Sequence, residues 1–122
     1  MAALVLIVED RPDHARLFRE FVTIAGSNAV IAPNGREALA VARASRPDAV
    51  LVDLILPDID GCDLLAELHA DPALEGCLLL ATSASIERAK QEASLAAGAR
   101  QFLPKPVRIQ SLVDALEELS PH

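Results

Sequence analysis

Three short apolar runs constrain this chain more than anything else in it: Leu4-Val5-Leu6-Ile7-Val8, Ala49-Val50-Leu51-Val52 and Cys77-Leu78-Leu79-Leu80-Ala81. None of them alternates with polar residues. A strand with one face in water alternates, whereas a strand covered on both faces does not. The runs therefore read as inner strands of a parallel sheet. Val30-Ile31 and Gln101-Phe102-Leu103 are shorter candidates for two more strands.

Amphipathic stretches of helical period lie between the runs. The first extends from about Pro12 to Ala25, with Leu17, Phe21 and Ile24 on one face and Gly26 as a C-terminal cap. A second starts at Asn34, with Glu37 at capping-box spacing, and ends before Arg46-Pro47 because proline disfavours helix at the residue before it. The third covers Cys62 to about His69 and stops near Asp71-Pro72. A fourth follows Ser85 as cap and ends at Gly98. The last runs from about Val107 to Leu119, with Leu112, Val113, Leu116 and Leu119 on one stripe. A strand and a helix repeated five times with short connections predict an α/β fold, a doubly wound parallel sheet with helices on both faces.

The chain of 122 residues, 52% of them apolar, is expected to form a single domain (1–122) with a core that needs no disulfide and with no output domain in this chain. Cys62 and Cys77 then read as buried thiols in a reducing, cytoplasmic compartment, more core than redox-active. Eighteen acids against eleven lysines and arginines give a formal charge of −7, which argues against nucleic acid or an anionic membrane as a direct partner. The apolar opening from Met1 to Val8 is too short to span a bilayer and lacks the basic flank of a signal peptide.

In a doubly wound sheet the ligand site lies beyond the carboxyl ends of the strands. Glu9 and Asp10 follow the first run, Asp53 ends the next, Thr82 and Ser83 follow the third, and Lys105 stands between Pro104 and Pro106 after the last strand candidate. Two carboxylates 4 Å apart repel by roughly 4 kcal/mol at an effective dielectric near 20. Crowded acids therefore favour a raised pKa or a bound cation, and hard oxygen ligands suit Mg²⁺. The acids between Pro47 and Glu87, a window without lysine or arginine, reinforce that reading. A carboxylate nucleophile, a cation site, a lysine and a hydroxyl suit phosphoryl transfer, where positioning and charge neutralisation dominate.

Glu9-Asp10 after a strand, Asp53-Leu54-Ile55-Leu56-Pro57-Asp58-Ile59-Asp60-Gly61, Ala81-Thr82-Ser83-Ala84 and Lys105-Pro106 together resemble the receiver domain of bacterial two-component response regulators. The likeness covers nearly the whole chain. It implies a flavodoxin-like fold of strand order 2-1-3-4-5 with a cis Lys105-Pro106 bond. Asp53 would be the phospho-acceptor, served by a histidine kinase or phosphotransfer protein in a phosphorelay. Asp10, Asp53 and the Ile55 backbone carbonyl would hold Mg²⁺ (or Mn²⁺), with Glu9 acting through a water. Lys105 and Thr82 would bind phosphoryl oxygens, and Thr82 and Phe102 would form a switch that alters the surface of the fourth helix, fifth strand and fifth helix for a downstream partner or output domain.

Plainer roles are expected elsewhere. Asp58, Asp60 and Asp63 read as solvated loop and helix-start acids, and Ser83 as a turn residue. His14, His69 and His122 lack metal-ligand spacing and read as surface residues. Arg88, Lys90, Arg100 and Arg108 read as a solvated basic rim. Ile55 and Ala84, two residues after Asp53 and Thr82, are apolar and cannot orient an attacking water, which predicts a slowly hydrolysing phosphoryl-aspartate. Two alternatives stand beside the switch. One is a Mg-dependent phosphohydrolase resembling the haloacid-dehalogenase-like enzymes, which need a second acid where this chain has Ile55. The other is a receiver-like interaction module that is never phosphorylated.

Overall fold

The computed structural model describes residues 2–85 and 87–119. Strands β1 (Leu4–Val8), β2 (Asn28–Ala32), β3 (Ala49–Asp53), β4 (Leu78–Ser83) and β5 (Gln101–Pro104) form one parallel sheet of order β2-β1-β3-β4-β5. Helices α1 (Pro12–Ile24), α2 (Gly35–Ser45), α3 (Gly61–Ala70), α4 (Arg88–Ala96) and α5 (Ile109–Leu116) connect and flank the strands. The expected architecture is the observed one.

The absence of polar alternation has a direct structural cause. Val5 and Ile7 of β1 point into a core shared with Phe18 and Val22 of α1 and Leu112 and Leu116 of α5. Leu6 and Val8 point the other way, into a core with Ala38 and Ala42 of α2 and Leu64, Leu65 and Leu68 of α3. Each strand is thus apolar on both faces because each face has its own helical layer. Burying one such leucine stabilises the fold by about 2 kcal/mol.

Several details differ from the sequence reading. The buried stripe of α1 is Ala15, Phe18 and Val22, with Phe21 half-buried against the same core, while Leu17 and Ile24 are 46% and 67% exposed. Apolar residues on this helix form two adjacent stripes, and only the sheet position decides which one is covered. Ser85 does not cap α4. Its hydroxyl accepts from the Glu87 amide at 3.2 Å, and the helix starts at Arg88 with no capping side chain on Glu87. Cys62 and Cys77 are half-buried rather than buried. Burial still pushes the Cys77 thiol up to about 11, so it stays protonated at neutral pH.

Helix α5 is shorter than its apolar stripe, with a 3₁₀ turn over Glu117–Leu119. Gly26 follows α1 at φ +89°, the left-handed conformation expected just beyond a helix end. His122 lies outside the described residues.

Candidate functional site

Strand register brings the chemistry to one edge of the sheet. Val8 pairs with Val52, Asp53 with Thr82, and Thr82 with Leu103, so the residues after β1, β3, β4 and β5 meet beyond the same carboxyl ends. Glu9, Asp10 and Asp53 each bring one carboxylate oxygen within 4.8 Å of the others. Glu9 is 1% exposed and Asp53 5%, whereas Asp10 is open to solvent. Three hard oxygen donors at that spacing, one of them reachable from outside, fit Mg²⁺.

Lys105 closes the cluster. Its Nζ donates to Asp53 Oδ2 at 2.8 Å and to Glu9 Oε2 at 3.0 Å. The Lys105-Pro106 peptide bond is cis. Burial pushes the Glu9 carboxyl up to about 7, with Asp53 adding to the rise and Lys105 opposing it. Burial acts on Asp53 in the same direction, but hydrogen bonding to Glu9, Lys105 and the Ile55 amide outweighs it and holds Asp53 below the usual carboxylate range. The two neighbouring carboxyl groups are thus pushed in opposite directions, Glu9 upward by burial and Asp53 downward by its hydrogen bonds.

Local structure fixes the Asp53 end. The Ile55 amide donates to Asp53 Oδ1 at 2.9 Å, and the Gly61 amide to the Leu54 carbonyl at 3.0 Å. A Cβ on Gly61 would stand 2.4 Å from Leu54 Cα and 2.7 Å from the Asp53 carbonyl oxygen, so only glycine lets α3 start this close to β3. Asp60 caps α3 by accepting from the Cys62 amide at 2.7 Å. Asp58, read from sequence as merely solvated, is a second cap. Its carboxylate accepts from the Gly35 and Arg36 amides, both at 2.9 Å, and ties the β3–α3 loop to the start of α2. Those backbone hydrogen bonds hold its carboxyl below the usual range. Asp63 is exposed in the first turn of α3, as expected.

The β4 and β5 side differs. Thr82 is buried, and its Oγ1 donates to the Leu103 carbonyl at 2.7 Å, turned toward β5. Phe102 is half-buried against the core on the α3 side of the sheet. Ser83 Oγ accepts from the Ser85 amide at 3.1 Å, the turn role expected of it. Ile55 is 54% exposed, and Ala84 is also open to solvent beside the site. Arg88, Lys90, Arg100 and Arg108 are all exposed.

His14 is the residue that the sequence reading missed. It is half-buried, with Nδ1 at 3.0 Å from Lys105 Nζ and 3.7 Å from Glu9 Oε1. Its position in the first turn of α1, directly beyond Glu9-Asp10, was the available signal. Beside it lies a mostly apolar cleft of about 270 Å³ lined by Leu17, Phe18, Ala84, Pro106 and Val107. Among the described residues no helix is long and apolar enough to cross a membrane.

Known proteins resemble this chain in sequence and fold. The sequence pattern of the response regulator receiver domain matches residues 5–117. The polar-differentiation response regulator DivK of Brucella anthropi is 29% identical over 117 residues, which is 96% of this chain and 95% of that protein. The probable transcriptional regulatory protein TcrX of Mycobacterium tuberculosis is 37% identical over 94% of this chain, which spans 48% of TcrX. A putative response regulator from Chloroflexus aurantiacus superposes with a TM-score of 0.92 at 29% identity, covering 98% of each chain. The receiver domain of a Pseudomonas aeruginosa sensor histidine kinase, solved with magnesium coordinated in its active-site cleft, superposes with a TM-score of 0.87 at 26% identity, covering 97% of each chain.

Proposed function

This chain belongs to the response regulator receiver domain family and is a phosphorylation-operated signalling switch; on that premise we propose that Asp53 is the residue phosphorylated. The observation that carries the assignment is the contact of Lys105 Nζ with both Asp53 and Glu9, at 2.8 and 3.0 Å, in the same cluster as Asp10. The Asp53 carboxyl is held below the usual carboxylate range by its hydrogen bonds, which favours the anion that a nucleophile must present.

The donor would be a phosphohistidine of a histidine kinase or phosphotransfer protein. The phosphorus–nitrogen bond breaks as a phosphorus–oxygen bond forms to the Asp53 carboxylate, and the released imidazole takes up a proton. Glu9, through a water, Asp10, Asp53 and the Ile55 carbonyl would hold Mg²⁺ or Mn²⁺. When bound, that cation would neutralise charge on the transferring group. Lys105 would transfer one N–H from the Asp53 carboxylate to a phosphoryl oxygen. Thr82 would exchange the Leu103 carbonyl for another phosphoryl oxygen, an exchange of one hydrogen bond for a stronger, charge-assisted one.

That movement vacates space next to β5, and the Phe102 ring would turn into it. The surface of α4, β5 and α5 would then favour a partner, a downstream protein or an output domain, that binds this conformer more tightly. The one sheet formed by the described strands supports reading 1–122 as a single receiver domain. The protein would work in the cytoplasm as a signalling protein rather than an enzyme, assisting only its own phosphorylation and dephosphorylation. The side chain of Ile55 supplies no second acid of the kind a phosphohydrolase with an aspartate nucleophile needs.

Intact-mass measurement after incubation with a small acyl phosphate and Mg²⁺ tests the assignment. One added phosphoryl group in the parent and none in Asp53→Ala is expected. No addition to the parent, or an undiminished one in Asp53→Ala, would overturn it.

A further inference from the structure

We propose that His14 is a positioning residue for Lys105, an assignment that rests on Asp53 being the phospho-acceptor. An ammonium group has three N–H donors and no acceptor. Lys105 Nζ has three partners at hydrogen-bond distance: Asp53 Oδ2 at 2.8 Å, Glu9 Oε2 at 3.0 Å and His14 Nδ1 at 3.0 Å. Each donor therefore has one acceptor. Because the lysine can only donate, His14 Nδ1 must present its lone pair. The imidazole is then neutral with its proton on Nε2, the nitrogen that faces Asp13 Oδ2 at 4.0 Å.

The anchor on the histidine side is rigid. His14 lies in the first turn of α1, where the Ala15 amide donates to the Arg11 carbonyl at 2.9 Å and where Ala15 and Phe18 are buried. The Phe18 ring centroid is 5.9 Å from Nζ. On the lysine side the four-carbon stem is flexible, and the cleft lined by Leu17, Ala84 and Val107 opens directly beside it. Without His14, solvent in that cleft competes for the third donor and the ammonium has two anchors instead of three.

The difference matters when Asp53 becomes phosphorylated. The N–H that Lys105 gives to Asp53 is the one that must follow charge onto the phosphoryl group. Glu9 and His14 keep the other two donors occupied, so the ammonium pivots in place. His14 thus joins the start of α1 to the end of β5 across the reacting carboxylate.

Substitution separates this role from packing. His14→Leu keeps comparable bulk and loses the acceptor, whereas His14→Asn brings an oxygen close to the place of Nδ1. Complete loss of a hydrogen bond to a charged group in the transition state slows reaction roughly ten- to a hundredfold. With a small acyl phosphate at saturating Mg²⁺, phosphorylation of His14→Leu is expected to fall on that scale, and His14→Asn is expected to recover most of the rate. Equal rates in His14→Leu and the parent, or no recovery in His14→Asn, would overturn the proposal.

Nitrogen NMR of the imidazole supplies the readout that needs no phosphorylation. Nδ1 is expected to be the unprotonated nitrogen and to shift in Lys105→Met; a proton on Nδ1, or no shift, overturns the contact. If the parent takes up no phosphoryl group while the NMR result holds, the Asp53 assignment has failed and the His14–Lys105 contact has not.

Discussion

The helices that follow β3 and β4 are held in opposite ways. Helix α3 buries Gly61, Leu64, Leu65 and Leu68 and starts from an Asp60 cap, on a loop tied to α2 by Asp58. Helix α4 buries only Ser94 among its residues, and no side chain caps its start. The first arrangement holds the carboxylate end of the site in one geometry. The second leaves the neighbouring surface with little apolar area to lose on moving. A switch needs both: a fixed place where charge changes, and a weakly held element whose two positions differ by little free energy.

The comparison breaks most readily at its leucines. Leu64 is fully buried and Leu95 is 46% exposed. Leu64→Ala is expected to cost about 3–4 kcal/mol, and Leu95→Ala less than about 0.5 kcal/mol, in denaturant unfolding. Similar losses in the two variants would mean that α4 is anchored as firmly as α3.

Next in size is a pH effect at the fixed end. Folding raises the Glu9 carboxyl from 4.5 to about 7, so between those values the folded chain keeps a proton that the unfolded chain has lost. Stability without divalent cation should therefore fall as pH rises from about 4.5 to about 7, by up to roughly 3 kcal/mol. Asp53, shifted the other way, contributes stability that is lost only as pH falls below its ordinary 3.8. Glu9→Gln should flatten the 4.5-to-7 slope. A cation binding these carboxylates should stabilise the protein more at pH 8 than at pH 5. An unchanged slope in Glu9→Gln would remove Glu9 as the source.

The link between the two regions is Thr82. Thr82→Val removes the donor to the Leu103 carbonyl and should cost about 1–2 kcal/mol. It should also confine phosphorylation-induced amide shifts to the β3–α3 side. Shifts that still reach Phe102 and α4 would mean that the message travels without the threonine.

Smallest in energy is the water path. Ile55→Asn and Ala84→Glu each put a polar side chain beside the reacting group and should speed phosphoryl loss several-fold, less than about 1.4 kcal/mol. Decay no faster than the parent's would sink the idea that apolar Ile55 and Ala84 slow hydrolysis.

Much of this was legible before any coordinates. Each of Glu9, Asp53 and Thr82 lies at or directly after the end of an apolar run, so strand direction alone puts them on one edge. What periodicity could not supply was contact between distant segments. Asp58 reaches amides 22 and 23 residues away, and Lys105 reaches His14 across 91. The face of α1 was misread for a similar reason: two apolar stripes have the same helical period, and the sheet chooses between them. Ser85 was misplaced as a cap because a serine that closes a turn onto Glu87 looks, in sequence, like a serine that opens a helix.

The central claim is that Asp53 carries the phosphoryl group, and locating the modification within the chain tests it most directly. Borohydride reduces an aspartyl phosphate to homoserine, so peptide mass mapping after phosphorylation and reduction reports the acceptor by position. The account predicts homoserine at position 53 alone. Homoserine at position 10 or at any other acid, or phosphate retained on a histidine with Asp53 unmodified, would contradict it.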